Sequence, residues 1–249
     1  MKEKVFSCSA NSSNGVCMLR DTIKGLDDVL KNDIPRGYVV LVTGGVGALK
    51  SAFVFSVFSN YLTKHEKEFG VYVTLEESKD SHLRNMASLG IRKPDHLQIF
   101  DYRDIRREWR KEEPTLDMVN ITEDVIKFYR EELGDKFTVF CLDSINALQS
   151  LAKVENLRRE SYHFFNLLRD SGITSFIIEE TQVVGEGRRH IPESYLSDGV
   201  IELGVIETPE LVSRYIQIRK MRAARHSMKK HQLIVTDNGL EVLGPVYEV

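Results

Sequence analysis

The stretch Tyr38 to Ser51 reads Y-V-V-L-V-T-G-G-V-G-A-L-K-S, and it constrains the fold more than any other. Tyr38 to Val42 is apolar and β-branched, the pattern of a strand buried on both faces. It breaks into Thr43-Gly44-Gly45-Val46-Gly47-Ala48-Leu49, and Lys50-Ser51 opens a helical pattern from Ala52 to Tyr61. Strand, glycine-rich turn, Lys-Ser and helix is the layout of a phosphate-binding loop. Glycines let backbone N–H groups turn inward around phosphate oxygens, and the helix start adds free N–H groups and a positive dipole end. Lys50 is placed for β- and γ-phosphates and the Ser51 hydroxyl for magnesium. The pattern G-x-x-x-x-G-K-[ST] asks for glycine at position 49, where this chain has leucine. A side chain there costs roughly 1–2 kcal/mol if the backbone must be left-handed.

A chain of 249 residues with 42% hydrophobic and 29% charged residues can build a sizeable core in one large α/β domain. Residues 1–18, rich in Ser and Asn, read as a flexible N-terminal arm, and 19–249 as a single domain. The formal charge of −3 argues against generic nucleic-acid binding, although a local patch is compatible with it. No apolar run reaches the roughly 18 residues of a membrane span, and the start has no signal-peptide shape. Three cysteines are too few for a disulfide framework, so a reducing cytoplasm is expected.

Further buried strands are expected at 71–75, 97–100, 137–142 and 175–178, alternating with helical stripes such as Val125, Ile126, Tyr129 and Leu133. The charge-dense stretch 101–113 reads as a solvated helix with surface ion pairs. Val183 to Ser194 has the composition of a mobile loop. After Leu196, strands at 200–203, 214–219, 232–235 and 240–243 follow closely, with Asp237-Asn238-Gly239 as a hairpin turn. The expected fold is therefore α/β, a mostly parallel central sheet flanked by helices with a C-terminal antiparallel β extension.

Ligands of open parallel sheets sit at the C-terminal strand ends. Four places qualify: the glycine loop, Glu76-Glu77, Asp143-Ser144 and Glu180-Thr181-Gln182. An apolar strand ending in Asp143 suits a carboxylate holding metal-bound water beside Ser51. Glu76 or Glu77 is placed to polarise an attacking water, and equally to complement a helix dipole. Leu211 to Thr236 carries seven Lys or Arg and no Asp or Glu. That stretch suits a solvated strand and turn, phosphate recognition from a neighbouring subunit, or nucleic-acid contact.

Several motifs in order resemble the RecA-like ATPases of the KaiC and RadA group, most of all the archaeal single-domain KaiC-like proteins. They are D-T-I-K-G-L-D-D-V-L-K-N-D-I-P-R-G, G-G-V-G-A-L-K-S, V-Y-V-T-L-E-E-S, F-C-L-D-S, L-S-D-G-V-I-E-L, K-M-R-A-A-R-H and V-T-D-N-G. The resemblance implies a RecA-like P-loop fold and an ATP site with Mg2+ between subunits of a homo-oligomeric, usually hexameric, ring. It implies that Gly45, Val46, Gly47, Ala48, Leu49, Lys50, Ser51 and Ala52 bind the triphosphate, and that Glu76 and Glu77 are the catalytic carboxylates. Ser51 and Asp143 would serve the metal, and Ser88 would line the nucleotide pocket. Lys220 and Arg222 would reach across the interface to the γ-phosphate, with Met221, His226, Thr236 and Asp237 completing the pocket. Ala223-Ala224 stands where the family usually has Gly-Thr.

Three functional readings follow. The first is a magnesium-dependent ATPase ring whose nucleotide state governs contacts with a protein partner. The second is a nucleotide-sensing scaffold with little hydrolysis, because of Leu49. The third is a recombinase-like DNA-binding protein using Arg188, Arg189 and His190 and the basic stretch.

Overall fold

The computed structural model describes residues 18–108, 118–151, 157–181, 183–184, 187–188, 193–207 and 212–246. Five strands, β1 (Val39–Gly44), β2 (Phe69–Thr74), β3 (Leu97–Asp101), β4 (Phe137–Asp143) and β5 (Thr174–Glu180), run parallel in a nine-stranded sheet. A two-stranded pair, β6 (Val183–Val184) and β7 (Gly187–Arg188), stands apart. The main sheet continues with β8 (Gly199–Glu207), β9 (Val212–Met221), β10 (His231–Thr236) and β11 (Gly239–Pro245). Its order is β11-β10-β9-β8-β1-β5-β4-β2-β3.

β1 lies near the middle because it is apolar on both faces. Val40 and Val42 join the cluster under one helical layer, while Val39 and Leu41 join the cluster on the other face. This two-residue alternation on a strand without exposed positions is what parallel sheets require. The first layer holds α1 (Leu26–Val29), α2 (Lys50–Lys64) and α3 (Lys79–Ser88). Phe53 and Phe58 from α2 pack there with Tyr72 of β2. The second layer includes α5 (Met118–Leu133), α6 (Ile145–Leu151) and α7 (Leu157–Asp170), following the shorter α4 (Tyr102–Glu108). Val125, Phe164, Phe165 and Leu168 fill that side.

The mostly parallel sheet with an antiparallel extension is as expected, with one refinement. β8 pairs parallel to β1, and reversal of direction begins at the β8–β9 hairpin. Local pattern could not reveal this, because pairing across some 150 residues of sequence is decided by which edge of β1 remains free. The expected loop at Val183 to Ser194 is corrected in part. Val183 pairs with Arg188 and Val184 with Gly187, and α8 (Glu193–Leu196) starts within the stretch. The two β-branched valines favour an extended pair. Arg189 and His190 lie outside the described residues, as do residues 1–17 of the proposed arm. The charge-dense stretch is helical over its described part, with Asp101–Arg103 at 3.4 Å and Asp104–Arg107 at 2.7 Å. Among the described residues no helix is long and apolar enough to cross a membrane.

Candidate functional site

The glycine loop leaves β1 at the C-terminal edge of the sheet. A Cβ on Gly44 would stand 2.1 Å from the Leu203 carbonyl oxygen, so only glycine lets β8 pass behind the loop. Gly47 has φ +77°, and a Cβ on Gly45 or Gly47 would meet no protein atom within 4 Å. The loop therefore faces open space on the side where a phosphate would lie. Leu49 caps α2 in the left-handed region, φ 68° and ψ 30°. The leucine has adopted the backbone conformation of the glycine it replaces, and its side chain packs against the core beneath. Phe53 N–H then donates to Leu49 O at 2.9 Å, and the helix begins.

Lys50 is buried, donates to Gly45 O at 3.0 Å and lies 3.6 Å from Glu180. Ser51, in the first turn of α2, lies close to Asp143, the last residue of β4, which accepts from Tyr72 Oη at 2.7 Å. Burial raises the Asp143 carboxyl above its ordinary range, while the Ser51 and Tyr72 hydrogen bonds, His82 and Lys50 oppose that rise. The two residues expected from sequence to serve magnesium thus lie near each other. Among the described residues no three His, Cys, Asp or Glu side chains cluster as a metal cage. That donor set fits magnesium, which keeps most of its waters and takes one or two protein ligands plus phosphate oxygens.

The two adjacent glutamates part company. Glu76 accepts from Ser144 Oγ and faces the loop. Desolvation raises its carboxyl, with Glu180 and Asp143 acting in the same sense and Ser144 and Lys50 opposing. Glu77 instead meets His82 Nδ1 at 2.8 Å and Asn85 Nδ2 at 3.0 Å, both on α3. His82 is fully buried against the Phe55 and Tyr72 rings.

Other expected residues lie elsewhere. Lys220 pairs with Val200 and Met221 with Gly199, which pairs in turn with Val40 near the start of β1. Lys220, Met221 and Arg222 therefore sit at the opposite edge of the sheet from the loop. Along β1, Lys220 is level with Leu41, Met221 with Val40 and Arg222 with Val39, about 10, 13 and 17 Å before Gly44 at ~3.3 Å per residue. Met221 is buried against Gly199, and His226 bridges to Leu30 at the end of α1. Ala223, in the place of the family's glycine, has φ 53°. Thr236 and Asp237 form the β10–β11 turn, where the Asp237 carbonyl crowds Gly90 and Thr236 donates to Gly239 O at 3.0 Å. Ser88, exposed at the end of α3, donates to Asn85 O at 2.7 Å and borders the same corner.

Residues that sequence reasoning did not single out also appear. Arg214 Nε donates to Gly47 O at 2.9 Å, so the basic stretch supplies one cation to the chain's own loop. Tyr72 carries no sequence signal, since a tyrosine within a buried strand reads as core, whereas Ser144, part of an expected strand-end site, is the partner of Glu76.

The model of the KaiC ATPase family, described as "ATPase: KaiC", matches residues 19–247. The chain belongs to that family. A UPF0273 protein of Aeropyrum pernix is 33% identical over 230 residues, covering 88% of this chain and 91% of that protein. The circadian clock protein KaiC2 of Synechocystis is 28% identical over 234 residues, but the match spans 39% of that longer protein. The crystal structure of a KaiC-like protein from Pyrococcus horikoshii OT3 superposes with a TM-score of 0.72 at 28% identity, covering 89% of this chain and 96% of that one. The RecA-type fold of the KaiC-like proteins is thus the fold of this chain.

Proposed function

We propose that this KaiC-family protein is a magnesium-dependent ATPase that works as a homo-oligomeric ring, with nucleotide state governing its contact with a protein partner. The observation that carries the reading is the buried Lys50 of the glycine loop, which donates to Gly45 O at 3.0 Å and lies near the buried Asp143 at the end of β4. In this reading the backbone of Gly45 to Ala52 cradles the phosphates and Lys50 exchanges Gly45 O for phosphate oxygen. Bound magnesium supplies charge neutralisation on the phosphates. Ser51 and Asp143 hold its position. Glu76, raised by burial and facing the loop, takes the proton of the attacking water. Glu77 holds α3 through His82 and Asn85. Ser88, Thr236 and Asp237 border the nucleotide away from its phosphates.

Lys220 and Arg222 cannot serve the same protomer's loop from the far edge of the sheet. Their place supports the reading that they act on a neighbour's γ-phosphate, with Met221 and His226 beside them. Native mass spectrometry with magnesium and ATP tests this. A ring holding ADP, turned into an ATP-holding ring by Glu76→Gln, is the expected result. A monomer without nucleotide would refute it.

The scaffold reading has its own observation, the left-handed Leu49. It requires ATP retention without phosphate release. A healthy release rate that Leu49→Gly leaves unchanged removes it. The recombinase reading is weakened because the basic stretch divides between both edges of the sheet, with Arg214 at one and Lys220 and Arg222 at the other.

A further inference from the structure

Lys220 and Arg222 are not free at the far edge. Lys220 Nζ donates to Ser194 O at 3.0 Å and to Ser197 O at 2.6 Å, carbonyls of α8 and of the residue just after it. An ammonium has three donors, so one remains to offer. Arg222 Nη1 donates to Asp198 Oδ1 at 2.7 Å, and its backbone N–H to Asp198 O at 2.9 Å. Asp198 is buried, and its other oxygen accepts from Arg169 Nε and from Val39 N–H, both at 3.1 Å. The Arg222 side chain stays about half exposed, with other guanidinium donors to present.

The element that holds both cations is tied back to the same protomer's glycine-loop edge. Glu193, the first residue of α8, accepts from Gln149 Nε2 at 3.0 Å on α6 and lies 3.5 Å from Ser161 Oγ on α7. α6 begins directly after Asp143-Ser144, and Ser144 Oγ holds Glu76. Asn146 of α6 also holds Glu180 N–H at 2.7 Å, and Glu180 faces Lys50. α6 is thus a short rigid bar with the catalytic edge at one end and Glu193 near the other. β1 is a second bar, with the glycine loop at its end and Asp198 bound at its start.

We infer that Glu193, α8 and Asp198 are a positioning unit that sets Lys220 and Arg222 from the state of the donor protomer's own phosphate site. The inference rests on the trans-acting role proposed above and deepens it by naming its regulation. The physical requirement is that both bars shift as bodies, so that a displacement at Ser144 or the loop moves the carbonyls that hold Lys220.

A mixed ring gives the test. Glu76→Gln subunits keep the cations but cannot turn over. Subunits carrying Lys220→Ala and Arg222→Ala keep the base but lack the cations. Co-assembly creates interfaces with one intact site, and ATPase activity is expected to return. Adding Glu193→Ala to the Glu76→Gln partner should then lower kcat ~10-fold with KM unchanged, the signature of misplaced transition-state groups. Adding it to the cation-less partner should change nothing, and this arm also shows that the variant folds and assembles. Glu193→Gln, which keeps the accepting oxygen, should restore the rate. Gln149→Leu in the donor partner cuts the same link independently and should match Glu193→Ala. Equal effects in either partner, or none in the donor, overturn the positioning role. If activity never returns on mixing even without Glu193→Ala, the trans reading fails and the positioning role falls with it.

Discussion

Replacing Leu49 isolates the cost of forcing a side-chain-bearing residue into the loop's left-handed position. The residue sits at φ 68°, ψ 30° and packs partly buried against the α2 core. Left-handed backbone costs an L-residue roughly 1–2 kcal/mol that glycine does not incur. Loss of the half-buried side chain costs about 1–2 kcal/mol. Leu49→Ala removes the packing and keeps the backbone cost, so it should destabilise by about 1–2 kcal/mol. Leu49→Gly removes both, so the two contributions nearly cancel and the variant should stay within about 1 kcal/mol of the parent. The decisive comparison is between the two variants, where packing loss is almost common. Glycine should be the more stable by about 1 kcal/mol, or roughly 2–4 °C in melting temperature for a domain of this size. Thermal unfolding by circular dichroism, without nucleotide, reads the difference. A Leu49→Gly variant that melts at or below Leu49→Ala would show that position 49 stores no backbone strain.

Glu179 gives a pH-dependent prediction. Its carboxyl is buried, one oxygen has no hydrogen-bond partner, and burial with the nearby Glu193 pushes it up to about 8. Between its ordinary value of 4.5 and about 8 the folded state holds a proton that the unfolded chain has released. Stability on this account is complete below pH 4.5 and falls as pH rises through 8, by at most roughly 4–5 kcal/mol at ~1.4 kcal/mol per unit. Glu179→Gln should flatten the fall, and urea midpoints at pH 6 and pH 9 measure it; an unchanged slope refutes the assignment. Tyr72→Phe removes a donor from the buried Asp143 and should cost about 1–3 kcal/mol. Its magnesium-dependent nucleotide affinity should fall as well, measured by calorimetric titration with and without magnesium.

Much of the candidate site was legible in the sequence because its signals are local. An apolar β-branched run, glycines and a Lys-Ser opening an apolar-spaced segment report β1, the loop and α2 without reference to anything distant. Asp143 was readable for the same reason, as the polar end of a buried strand. Position 49 was readable as a departure from pattern, though only the backbone angles show the leucine taking the glycine conformation. The choice between Glu76 and Glu77 was not readable. Adjacent residues leaving a strand end point to different sides, and which side meets Ser144 and which meets His82 depends on how α3 and α6 pack.

The sequence by itself determined a strand–loop–helix layout of the phosphate-loop kind and a family resemblance strong enough to name. Tertiary structure decided the strand order, the parallel seating of β8 against β1, and hence the edge on which Lys220 and Arg222 emerge. It also decided that Arg214, from the same basic stretch, serves the chain's own loop. The physical reason is reach. Periodicity and turn chemistry act over a few residues, whereas strand pairing joins segments far apart in the chain through contacts that no local pattern encodes. A strand's direction then carries its two ends to opposite edges of one sheet.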